Sequence, residues 1–109
     1  MIIKDSATVV GKLHPAIEHA MNVVDRVWRR VVNTQPVCTG LQEEGHSLGS
    51  LHYGISGDMR CRAFDIRTRS LNRVLSNTLK TELEMRLGVL EYDIIWEPNH
   101  LHIEYQPKE

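Results

Sequence analysis

The sequence has little of what would assign it to several large classes of protein. It has no surplus of positive charge: 13 Lys and Arg stand against 14 Asp and Glu, for a net charge of −1. A chain so balanced has nothing spare to neutralise phosphates, so nucleic acid is not expected as a partner. No apolar run approaches the ~18 residues of a membrane span, and no transmembrane segment is expected. The opening residues MIIKDSATVV lack the apolar stretch and small-residue cleavage site of a secretory signal, so the chain is expected to be cytoplasmic when made. There are only two cysteines, Cys38 and Cys61, and no C-x-x-C pair. That excludes a disulfide framework and favours two buried free thiols. No repeat, low-complexity tract or linker interrupts the 109 residues, which suit one domain, 1–109, with one modest core.

What is present is hydrophobic periodicity. Leu13, Ile17, Ala20, Met21, Val24, Trp28 and Val31 recur at helical spacing, with Glu18, Asp25, Arg29 and Arg30 opposite. The spacing predicts an amphipathic helix over 13–31, with Pro15 in the first turn, where its missing N–H costs nothing. QPVCTGL follows as a short strand, and QEEGHSLGS as a Gly/Ser-rich loop. In CRAFDIR, Phe64 and Ile66 point one way while Ala63, Asp65 and Arg67 point the other. Leu71, Val74, Leu75, Leu79, Leu83 and Leu87 form a second helical stripe that Gly88 is placed to end. VLEYDIIWE alternates again, with Leu90, Tyr92, Ile94 and Trp96 on one side. In HLHIEY, Leu101, Ile103 and Tyr105 oppose His100, His102 and Glu104. Helix, strand, strand, helix, strand, strand is not a repeating βαβ series. The expected fold is α+β, two helices packed on one face of a small, mainly antiparallel sheet.

The sheet face away from the helices would then carry Asp65, Glu97, His100, His102 and Glu104. If Pro98 and Asn99 form a tight turn, Glu97 lies opposite His100 and His102 lies one step further in. Pro98 does not suit the favoured two-residue hairpin turns, so a bulge is the competing expectation. Imidazoles at i and i+2 of a strand, a carboxylate beside them and an aspartate on a neighbouring strand suit a catalytic zinc centre, which needs three protein ligands and an open position. The loop supplies further candidates in His46 and His52. Glu104 shares the histidine face and can orient a ligand imidazole.

Two stretches carry a resemblance. SLHYGISGDMRCRAFDIRT resembles the S-x-H-x-x-G-x-A-x-D segment of the zinc D-Ala-D-Ala carboxypeptidases and L-Ala-D-Glu endopeptidases, the superfamily that includes the hedgehog signalling domain. HLHIEY resembles its second motif, H-x-H followed by an extended strand. The likeness runs from about Pro36 onward, and it is closest to small peptidoglycan-cutting peptidases of phages and bacteria. It implies a hedgehog/D-Ala-D-Ala-peptidase-like fold and a Zn2+ cofactor held by His52, Asp65 and His102. It implies Glu97 as general base, His100 beside the developing oxyanion, and Ser50 near the substrate. The implied substrate is the peptidoglycan stem peptide, cut by a monomer acting at the cell wall after release or delivery, or in a phage particle.

The chain departs from that pattern twice. His52 and Asp65 stand thirteen positions apart, against seven in the motif, with GISGDMRC (54–61) replacing a two-residue link and Cys61 where glycine is usual. This leaves Asp58 as the alternative to Asp65 as ligand. In relatives reading E-P-W-H, the histidine three residues after the glutamate is the ligand, which leaves His100 as the alternative to His102.

Overall fold

The computed structural model describes residues 1–4, 13–41 and 61–107. Its elements are β1 (Ile2–Ile3), α1 (Pro15–Val32), β2 (Val37–Leu41), β3 (Ala63–Arg67), α2 (Arg73–Leu87), β4 (Tyr92–Trp96) and β5 (His100–Tyr105).

Both helices begin and end where local chemistry dictates. His14 is the N-cap of α1, and its Nδ1 accepts the Ala16 N–H at 3.1 Å. Pro15 occupies the first turn, where no intrahelical partner for an N–H exists. The helix stops at Asn33, which adopts the left-handed conformation (φ 66°) and donates its N–H to the Arg29 carbonyl at 3.1 Å. Asn72 caps α2, its side-chain oxygen accepting the Leu75 N–H at 2.8 Å. Gly88 ends α2 at φ 85°, a backbone conformation that side chains other than glycine's rarely adopt.

The sheet is mixed, with strand order β1-β2-β3-β5-β4. Its four longer strands are antiparallel, as expected. The two-residue β1, which periodicity did not predict, adds a parallel edge to β2. The bulge lies between β2 and β3, at Cys38/Gly40, and not in the last hairpin. Trp96 pairs with Leu101 and Glu97 donates its backbone N–H to the His100 carbonyl at 2.9 Å. Pro98-Asn99 is therefore a two-residue connection, and its unbroken register runs to Tyr92↔Tyr105.

One core cluster joins both helices to one sheet face. Ile17, Ala20, Val24 and Trp28 of α1 and Leu79, Leu83 and Leu87 of α2 are buried with Phe64, Ile66, Leu101 and Ile103. Three members of the predicted stripes, Val74, Leu75 and Leu90, fall outside it, two of them exposed. Val74 is 72% exposed in the first turn of α2, and Leu90 is 68% exposed in the turn before β4. Ala63 is fully buried although it has the parity of Asp65. Cys38 and Cys61 are both free and buried, and burial pushes the Cys38 thiol up to about 11. Cys61, placed in sequence at the end of the 54–61 insertion, belongs to the framework: its carbonyl accepts the His14 N–H at 3.0 Å. The rest of the insertion, residues 54–60 with Asp58, lies outside the described residues.

This packing sets unequal costs for two leucine-stripe positions of α2. Leu83→Ala removes a fully buried side chain and is expected to cost about 2–5 kcal/mol. Val74→Ser, on the exposed first turn, is expected to change stability by less than about 0.5 kcal/mol. Urea denaturation of the two variants measures both, and equal losses would contradict the packing described.

Candidate metal centre

The strand register builds the site. In the β3–β5 pair, Asp65 stands opposite His102 and Arg67 opposite His100. Because side chains alternate, Phe64 and Ile66 go to the core while Asp65 and Arg67 emerge on the other side. Leu101 and Ile103 do the same for β5, leaving His100, His102 and Glu104 on the outer face. From β4, Asp93 lies opposite Glu104 and Ile95 opposite His102.

His102 is held at both ring nitrogens. Its Nδ1 is 2.6 Å from Asp65 Oδ1 and its Nε2 is 2.8 Å from Glu104 Oε1. All three side chains are largely buried, at 14%, 13% and 17% exposure. Burial alone would disfavour a charged imidazole. The hydrogen bonds and negative charges of Asp65 and Glu104 outweigh it and push the His102 pKa up to about 9. In this arrangement His102 is an imidazolium at neutral pH, donating one N–H to each carboxylate.

His100 stands beside this triad. Its Nε2 is 3.8 Å from Asp65 Oδ1, and its Nδ1 is 2.7 Å from the Asn99 side-chain oxygen. Asp65, His100 and His102 can each offer a ligand atom within 4.8 Å of the others, close enough to hold one metal ion. Beside them Thr39, Asp65, Arg67, Arg69, Asn99 and His100 line a hollow of about 330 Å³.

The sequence expectations divide accordingly. Asp65 and His102, expected as ligands, meet directly. His100, expected as the neighbour of the metal, lies close enough to be a third ligand itself. Glu97 is exposed at the end of β4, on the outer face opposite His100 and outside the cluster. His52, Ser50 and His46 lie outside the described residues. His14 is the N-cap of α1, and His19 is exposed on that helix. Glu104, expected on the histidine face, touches His102. Arg67 and Asn99 were missed as members of the site. For Arg67 the signal existed, since it stands two residues after Asp65 on one strand. Compared with known protein families, curated proteins and solved structures, the chain matches none.

The proton on His102 gives a pH dependence of known sign. In the unfolded chain the imidazole titrates near 6.5; in the folded chain, near 9. A raised folded pKa contributes stability that is complete below the unfolded value, declines as pH rises, and is lost above the folded value. In chelator-treated protein, the stability difference between wild type and His102→Gln is expected to shrink as pH rises from 6.5 to 9.5. Urea midpoints at a series of pH values measure it, and a constant or growing difference would contradict the bridged imidazolium.

Proposed function

We propose that the protein is a zinc-dependent peptidase that hydrolyses a peptide bond in peptidoglycan stem peptides, of the D-Ala-D-Ala carboxypeptidase or L-Ala-D-Glu endopeptidase type. The observation that carries the proposal is the convergence of Asp65, His100 and His102 on one outer sheet face, in the two segments that resemble that family.

The donor set suits zinc, which takes imidazole nitrogen and carboxylate oxygen in tetrahedral sites. Asp65 and His102, which meet at 2.6 Å, would be two of the ligands that hold the ion. Glu104 keeps the Nε2 proton of His102 and fixes the ring and its tautomer. His52 is the third ligand on the family pattern. Zinc supplies a water of lowered pKa and a Lewis acid at the scissile carbonyl. Glu97 accepts the proton of the attacking water and returns it to the leaving amine. His100 faces the carbonyl oxygen as it gains negative charge. Ser50 contacts the substrate.

One observation favours a second reading. The Asp65–His102–Glu104 bridge satisfies both ring nitrogens without a metal, as a structural charge network would in a non-catalytic interaction module of hedgehog-like fold or in a phage structural protein. Metal analysis separates the two. The peptidase is expected to hold one zinc per chain, and Asp65→Ala to lose it. Glu97→Gln is expected to keep fold and metal while hydrolysis of purified peptidoglycan, followed by mass spectrometry of released fragments, falls about 10²–10⁴-fold. Failure to take up zinc after reconstitution would overturn the peptidase reading.

A further inference from the structure

The outer face carries a cation beside the candidate ligands that the ion-pair network does not use. Arg67 ends β3 on the same face as Asp65, in register with His100. Arg69 follows in the turn that leads to α2. Three of the helix arginines are paired: Arg29 with Asp25, and both Arg30 and Arg86 with Glu82. Arg67 and Arg69 make no ion pair and no side-chain hydrogen bond among the described residues. Arg67 is nonetheless half-buried, with no carboxylate paired to it among the described residues. Both arginines line the 330 Å³ hollow that Asp65 and His100 also line. They line a second hollow of about 260 Å³, with Trp28 and Ser70 among its other walls. A guanidinium presents a planar fork of donors that matches a carboxylate bidentately.

We propose that Arg67, assisted by Arg69, binds a carboxylate of the substrate, on the leaving-group side of the scissile bond. The proposal rests on the peptidase reading of the same face and specifies its substrate. The hollow lies at the low end of small-ligand sites, which run from ~300 to ~1,000 Å³, and so takes a small residue. The charges nearby choose the anion. Asp65, Asp93, Glu97 and Glu104 share the face, so a phosphate dianion or an anionic polymer would meet several carboxylates at close range. A single carboxylate delivered to the Arg67 fork adds only one negative charge. A peptide that ends in a free carboxylate carries it one carbon from the scissile nitrogen. A glutamate joined through its side-chain carboxyl keeps its α-carboxylate in the same relation. Both peptide types assigned above therefore present the group that Arg67 requires, and their amidated forms do not.

The test is direct binding, so that it does not depend on turnover. Zinc-reconstituted Glu97→Gln protein is titrated, with NMR detection, with N-acetyl-D-alanyl-D-alanine and its C-terminal amide, and with L-alanyl-D-glutamate γ-methylamide and its α-amide. At least one acid is expected to bind tenfold or more tightly than its amide. Adding Arg67→Ala should bring that ratio to near one, Arg67→Lys should retain part of it, and Arg69→Ala should reduce it less than Arg67→Ala. Melting curves identify any variant that fails to fold, in which case Arg67→Lys and the acid-to-amide ratio of the parent decide. A ratio near one in the parent, no binding by any of the peptides, or a ratio unchanged by Arg67→Ala would overturn the proposal. If wild-type protein cleaves none of the peptides while the Arg67-dependent preference stands, the peptidase reading fails and the carboxylate site survives.

Discussion

The pairing of β3 with β5 constrains everything else in the molecule. These two strands are the centre of the sheet, and their register is fixed by burial. Phe64, Ile66, Leu101 and Ile103 must all face the helices, and a slip of one residue would turn all of one strand's apolar side chains to the outer face. The same register that buries them sets Asp65 opposite His102 and Arg67 opposite His100. The helices, by covering one face, force the chemistry onto the other. Stability and site geometry are thus two consequences of one alternation, and a change that loosens the core would blur the site as well.

The electrostatics of that outer face are unusual for so small a sheet. Asp65, Asp93, Glu97 and Glu104 share that face, and His102 holds a proton between two of these carboxylates. Asp65 and His102 offer the lone pairs that a metal would use, while Glu104 serves the ring in either state. In one case it accepts from an imidazolium; in the other it orients a neutral ligand. On the zinc reading proposed above, a metal ion would compete with that proton for His102, and its binding would release the proton.

Much of the fold was legible in the sequence because it depends on period. The stripes Ile17, Ala20, Val24, Trp28 and Leu79, Leu83, Leu87 repeat at helical spacing, and the two histidine-bearing and aspartate-bearing strands alternate cleanly. What escaped is what period does not carry. Val74 fits the stripe by spacing, yet it sits exposed in the first turn of α2. Leu90 keeps the parity of Tyr92, but the chain is still turning there. β1 is two residues long, too short for alternation to register. Pro98 argued against a two-residue turn on backbone grounds, and the sheet overrode it. The site was legible as a set of residues on one face. That His102 would be gripped from both sides needed the β3–β5 register as well as the i, i+2 reach of Glu104, and the register is not written in a local pattern. That His100 stands within ligand distance, while Glu97 lies apart, is likewise a matter of where two strands meet.

On the proposed zinc reading, Asp65 and His102, which lie close enough to hold a metal ion with His100, would exchange their shared proton for zinc. Long-range ¹H–¹⁵N NMR of the imidazoles tests it most directly. In metal-free protein at pH 7, His102 is predicted to show both ring nitrogens protonated. On zinc addition, one nitrogen is predicted to lose its proton and move to the shift of a metal-bound nitrogen, while the nitrogen facing Glu104 keeps its proton. A His102 that remains doubly protonated at saturating zinc would contradict the account.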